Sequence, residues 1–225
     1  MRSVWDAVAA TGSERLLGRA EEATAQLDRL FAQLDAAARG GTCVEIGCGA
    51  GRMTAVLAER YERVVAVDVS PAMLERARAA VTAPNVEFAL GLRGVADASA
   101  DAAVCFGVVQ HLPRPQVVAS LLVEAARVLR PGGEALVQLP VLHGDLRSRV
   151  WRLAHGPAAA IARRRNARNL TLAAEYRGTR LTWRELEPLV ARAGLRIAAH
   201  VVDDDPTLYS TYPHADDVRL RLVRE

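Results

Sequence analysis

Lysine is absent from this chain; all 29 of its basic side chains are arginine. Arginine in place of lysine, beside many alanines, is what GC-rich codons produce and suggests a bacterial source. Aromatic residues are scarce, at 4%, so Ala, Val and Leu must fill the core. The three cysteines, Cys43, Cys48 and Cys105, are odd in number and lack CxxC spacing. That argues against a disulfide framework or a zinc site and fits reduced thiols. No run of about 18 uninterrupted apolar residues occurs, and Asp6 follows Arg2 too soon for a signal peptide. The expectation is a cytoplasmic protein with no membrane contact. A net charge of +3 gives little pull towards nucleic acid.

What is present fits one globular domain of 225 residues, with 51% hydrophobic and 24% charged side chains. Apolar residues from Leu16 to Leu34 recur in steps of three and four, predicting an amphipathic helix that Gly40-Gly41 ends. Short apolar runs predict buried strands at Thr42–Ile46, Val64–Val69, Val86–Leu90, Ala102–Val109 and Glu134–Leu139. Helices are predicted between them at Arg52–Arg60, from Ser70-Pro71, and at Gln116–Leu129, the last stopped by Pro131-Gly132-Gly133. Thr182 and Glu185 mark a capping box for a helix to Ala193, and Leu195–Val202 and Val218–Val223 read as final strands. The alternation predicts an α/β fold: a doubly wound, mostly parallel sheet. Residues 1–40 read as an N-terminal helical cap, 41–140 as a ligand-binding core and 182–225 as a closing helix and strands. Residues 141–181 form an arginine-rich, lid-like insertion after the fifth strand.

Glu45-Ile46-Gly47-Cys48-Gly49-Ala50-Gly51 runs from a strand through a glycine turn into a helix. Such a turn lets backbone N–H groups come close to a ligand. Asp68 ends the next strand, where an acid can accept both hydroxyls of a ribose. Together they point to an adenosine-containing ligand. A nicotinamide cofactor is the rival, but its sites prefer G-x-G-x-x-G, and here the third glycine comes one residue early.

Val44–Thr54 resembles motif I of the class I S-adenosylmethionine-dependent methyltransferases. Val64–Arg78 resembles the family's second strand and following helix, Asp97–Leu112 its fourth-strand motif, and Ala126–Val137 the helix, turn and strand beyond. The resemblance implies a seven-stranded sheet whose last strand is antiparallel, with S-adenosylmethionine bound and S-adenosylhomocysteine released. It implies that Gly47, Cys48, Gly49 and Gly51 face the amino-acid part, Asp68 the ribose, and Val69 and Met73 the adenine. Glu45, Arg52, Leu92, Arg93 and Gly107 complete the expected cofactor set. Relatives commonly carry an acid after the glycine that ends the third strand; here Leu92 stands there, and Asp97 is the alternative acid.

His111, just beyond the fourth strand, is the expected catalytic base, because an imidazole titrates near neutral pH. A structural role for it is the alternative. His143, Tyr176 and Tyr209 are expected to line the substrate pocket. Asp203–Asp205 and Asp216-Asp217 lie near His200 and His214, but consecutive carboxylates diverge, so no metal is expected. The arginines of the insertion fit a solvated face or an anionic substrate. No series of aromatics accompanies them, so nucleic acid is not an expected partner. The expected function is methyl transfer to a small molecule, with oxygen ahead of nitrogen, in secondary or sugar-containing metabolism. A non-catalytic binding module is the alternative, and a homodimer stays open.

Overall fold

The computed structural model describes residues 2–11, 20–36, 40–146, 150, 179–203 and 215–225. Among them, α1 (Arg2–Thr11) and α2 (Ala20–Gln33) precede β1 (Thr42–Ile46), α3 (Arg52–Ala58), β2 (Arg63–Asp68), α4 (Pro71–Ala80) and β3 (Val86–Leu90). β4 (Ala100–Cys105), α5 (Pro115–Val128), β5 (Leu129–Leu142), β6 (Leu181–Thr182), α6 (Trp183–Arg192), β7 (Leu195–Asp203) and β8 (Ala215–Arg224) follow. Short 3-10 turns cover Leu92–Gly94 and Val109–His111.

The strands form one sheet in the order β3-β2-β1-β4-β5-β8-β7, with β6 paired to β5 off this path. β1 to β5 run parallel, and β8 runs antiparallel to both β5 and β7. The expected seven strands are there, with the final one reversed. The two-residue β6 is an addition that no apolar run announces.

Burial on both faces explains the near-continuous apolar strands. Val44, Ile46, Val65, Val67 and Ala103 pack on one face with Val118, Leu122 and Ala125 of α5 and Leu186 and Val190 of α6. Cys43, Val64 and Val104 face the opposite way, against Leu27 and Leu30 of α2 and Met53 and Leu57 of α3. Ala66 packs on Leu74 and Ala77 of α4.

The boundaries that differ most in kind from expectation lie at β4, α5 and β5. β4 stops at Cys105 rather than Val109, because Gly107 takes a positive φ of 69° and turns the chain into the 3-10 turn carrying His111. α5 ends at Val128, and β5 begins at Leu129, pairing it with Ala100 across a register shift. The Pro-Gly-Gly sequence therefore lies inside a bulged strand rather than in a loop. At α6, Glu185 accepts hydrogen bonds from the Thr182 backbone N–H at 2.9 Å and its hydroxyl at 3.0 Å.

Candidate active site

β1 is where the strand order reverses, with β2 on one side and β4 on the other. The ends of these strands part there and leave a cleft. A cavity of about 390 Å³ occupies it. Its lining includes Glu45, Gly47, Cys48, Gly49, Arg52, Asp68, Val69, Met73, Leu92, Gly107 and His111.

The glycine turn supplies room more than donors. The N–H groups of Gly47 and Cys48 bind the Val67 carbonyl at 2.7 and 3.0 Å, and that of Gly51 binds the Cys48 carbonyl at 3.0 Å. Gly47 has φ of 80°, and a Cβ there would lie 2.3 Å from a Val108 methyl. Any side chain would therefore collide across the cleft. The N–H of Gly49 goes to Asp68 Oδ2 at 3.0 Å, while Asp68 Oδ1 accepts from Ser70 N–H at 2.8 Å. Both neighbouring turns thus aim this carboxylate. Burial raises its pKa, and the backbone N–H groups oppose that rise.

Glu45 is buried beneath the turn and accepts the Thr54 hydroxyl at 2.6 Å. Burial pushes it up to about 7; the Thr54 hydrogen bond pulls the other way and the Asp68 charge adds to the rise. Arg52 is held from α2, donating to Gln26 Oε1 at 2.9 Å. A titratable carboxyl and a cation therefore border the cavity, and with Glu45 ionised the pair suits a zwitterion. Burial raises the Cys48 thiol well above its ordinary range, which leaves it protonated and unreactive.

On the β4 side, the Gly107 N–H donates to Gln138 Oε1 at 2.9 Å, and Gln138 Nε2 donates to Asp217 at 2.6 Å. His111 follows on its 3-10 turn, with its backbone N–H bound to the Val108 carbonyl at 2.9 Å. Its Nε2 lies 3.3 Å from Gln110 Nε2. The Trp5 ring stands 5.0 Å away at 82°.

Residues 44–137 match a family model described as a methyltransferase domain. The chain is 40% identical over 170 residues to a trans-aconitate 2-methyltransferase of Azoarcus, covering 72% of this chain and 64% of that protein. It is 30% identical over 115 residues to a ubiquinone biosynthesis O-methyltransferase of Xanthomonas oryzae, covering 48% and 46%. Thus it spans between about half and two thirds of the length of these relatives. The fold is similar to the crystal structure of a magnesium protoporphyrin IX methyltransferase from Synechocystis with bound S-adenosylhomocysteine. That likeness has a TM-score of 0.65 at 15% identity, covering 100% of this chain and 97% of the other. Residues 44–137 of this chain are a methyltransferase domain, set in a fold shared with S-adenosylmethionine-dependent methyltransferases of known structure.

Some expected residues stand apart from the methyltransferase cleft. Arg93 is exposed and does not line it, because the 3-10 turn at Leu92–Gly94 points it outward. His143 ends up beyond β5 on the surface, paired with Asp216 Oδ1 at 2.8 Å, because β5 and β8 are in register there. Asp97 is mostly exposed and pairs with Arg127 instead of lining the cavity. Tyr176 and Tyr209 lie outside the described residues. Sequence reasoning missed Phe106, Val117, Leu121 and Glu124, which line the same cavity. The helical period marks one face of α5 for the core, but it cannot tell that the neighbouring face borders a cleft. Gln26 left a faint signal: it is a polar residue one place before Leu27 on the apolar side of α2.

Proposed function

We propose that the protein binds S-adenosylmethionine in this cleft and transfers its methyl group to an oxygen of a small molecule. The observation that carries the reading is Asp68, fixed by two backbone N–H groups at the end of β2, facing a cavity that Gly47 keeps open. A buried carboxylate with spare lone pairs suits a ribose diol. Glu45 would hold the ammonium and Arg52 the carboxylate of the cofactor's amino-acid part. Val69, Met73 and Leu92 would wall the adenine.

When bound, S-adenosylmethionine supplies a methyl group on a sulfonium and leaves as S-adenosylhomocysteine. His111 takes the proton that the acceptor hydroxyl gives up, which leaves oxygen free to form the new bond. The oxygen preference is supported by the O-methyltransferase among the relatives and by the imidazole beside the cavity. Lining residues such as Phe106, Val117 and Leu121 favour an acceptor with an apolar body.

Calorimetric titration tests the cofactor. Micromolar binding of S-adenosylmethionine and S-adenosylhomocysteine, with none of NADH, is expected; binding of NADH alone would overturn the reading. Transfer is then measured with catechol, sugars, trans-aconitate and amines as probes. His111→Ala should slow transfer to a hydroxyl by about 100-fold. A loss under about tenfold would remove the base role from His111. Binding without transfer to any probe would favour a non-catalytic binding module.

A further inference from the structure

α1 crosses the mouth of the cleft, and its two ends of contact lie on opposite walls. On the ribose wall, Val8 and Ala9 pack against Met73. Arg76 donates to the Ala9 carbonyl at 2.8 Å. The Ser70 hydroxyl donates to Asp6 at 2.5 Å and accepts the Met73 N–H at 3.1 Å. Ser70 is two residues past Asp68, so α1 is anchored beside the carboxylate that faces the ribose. Trp5 precedes Asp6 and reaches the other wall. Its ring meets the His111 imidazole edge to face, with centroids 5.0 Å apart. Both rings line the cavity.

We propose that Trp5 is a positioning residue for His111. The imidazole hangs from a short 3-10 turn through two torsions, and the outer one is intrinsically broad. A perpendicular aromatic contact favours one ring orientation over the others. A base turned out of line loses rate even when the cofactor is fully bound, since proton transfer needs hydrogen-bond reach. Asp6 on Ser70 fixes where Trp5 stands, so the ring that aims His111 is tied to the wall that holds the ribose. This inference rests on His111 acting as the base.

Trp5→Phe and Trp5→Ala, made in the full chain, separate the outcomes. Nitrogen-detected NMR of the His111 ring, in the presence of S-adenosylhomocysteine, should show shifted and broadened resonances in Trp5→Ala. Trp5→Phe should restore most of the wild-type spectrum. S-adenosylhomocysteine affinity should stay within about threefold in both variants, because the contact is to His111 and not to the cofactor's polar groups. With catechol as probe, kcat should fall about tenfold in Trp5→Ala while the KM for S-adenosylmethionine holds. Unchanged His111 resonances in Trp5→Ala would overturn the proposal. So would a parallel loss of S-adenosylhomocysteine binding that Trp5→Phe fails to restore, which would make Trp5 a wall of the cofactor pocket. Should the wild-type protein transfer to no probe, the base reading fails on its own, and the ring resonances still decide whether Trp5 sets His111.

Discussion

Glu45 shows how one buried side chain can set two opposing pH dependences. Its ordinary value is 4.5, and burial raises it to about 7 in the folded protein. Between those values the folded protein keeps a proton that the unfolded chain gives up. Stability contributed at this position is therefore full below about pH 4.5 and declines as pH rises towards 7, by about 3 kcal/mol in all. A ligand ammonium beside Glu45 favours the ionised form, so binding has the opposite slope. Affinity for S-adenosylhomocysteine should rise from pH 5 to 7 and then level off, with proton release detectable in buffers of different ionisation enthalpy. Thermal melting of the free protein should show the falling stability over the same window. Glu45→Gln should flatten both curves. A Glu45→Gln protein that keeps the full pH dependence of binding would assign it to another group. The acid itself is easy to see in the sequence, next to the glycine turn. Its burial under Thr54 and the shift that follows are not, because both depend on how tightly α3 closes over β1.

At the scale of elements, Arg127, in the last turn of α5, ties neighbouring segments together. Its guanidinium donates to the carbonyls of Leu92 at 2.8 Å and Val95 at 2.9 Å, and to Glu124 at 3.0 and 3.1 Å. It also pairs with Asp97. The planar fork thus staples the turn after β3, including the Leu92 wall of the cavity, to α5. Arg127→Ala leaves two backbone carbonyls without this donor and should cost about 2–3 kcal/mol in urea unfolding. Arg127→Lys should recover little, since one ammonium cannot meet all these acceptors. Asp97→Ala should cost under about 1 kcal/mol, because that carboxylate is largely exposed. Equal losses for Asp97→Ala and Arg127→Ala would place the energy in the surface pair instead. The sequence displays α5 and the strands around it clearly, through the 3.6-residue period and the β-branched runs. It does not display the staple, whose partners lie some thirty residues away in the chain. The ends of β4 and β5 were misjudged for a related reason. Val108 and Val109 look like strand, yet the backbone of Gly107 redirects them into a 3-10 turn, where Val108 lines the cleft and Val109 packs in the core. β6 is too short to carry a pattern at all.

Considered as a whole, the molecule places its cavity where β2 and β4 diverge around β1, and spans that gap with a helix from outside the sheet. The position of the cavity was legible in the sequence, because the glycine turn and Asp68 each end a parallel strand. The covering helix was legible only as part of an N-terminal helical cap, since nothing local tells Trp5 that His111 is its neighbour. Among the described residues, α1 packs on the neighbouring α4 through Val8 and Ala9 on Met73, with hydrogen bonds from Arg76 and between Asp6 and Ser70, and on His111 through Trp5. A helix outside the sheet that rests on one neighbouring helix belongs to the part of a structure that can open locally. A ribose held at Asp68 would lie beside Ser70 and Met73, on which Asp6, Val8 and Ala9 of α1 rest, so binding there should favour closure. S-adenosylhomocysteine should therefore slow amide exchange in α1 by roughly tenfold or more, along with the turn at Gly47–Gly51. Asp6→Ala should speed α1 exchange in the free protein while leaving β1, β2 and β4 protected as before. Hydrogen exchange with mass spectrometry reads all of these segments at once. If ligand slows exchange in the glycine turn and leaves α1 unaffected, the helix is not coupled to the cleft. If both slow together, and Asp6→Ala weakens the effect in α1 alone, closure of the helix is part of cofactor binding.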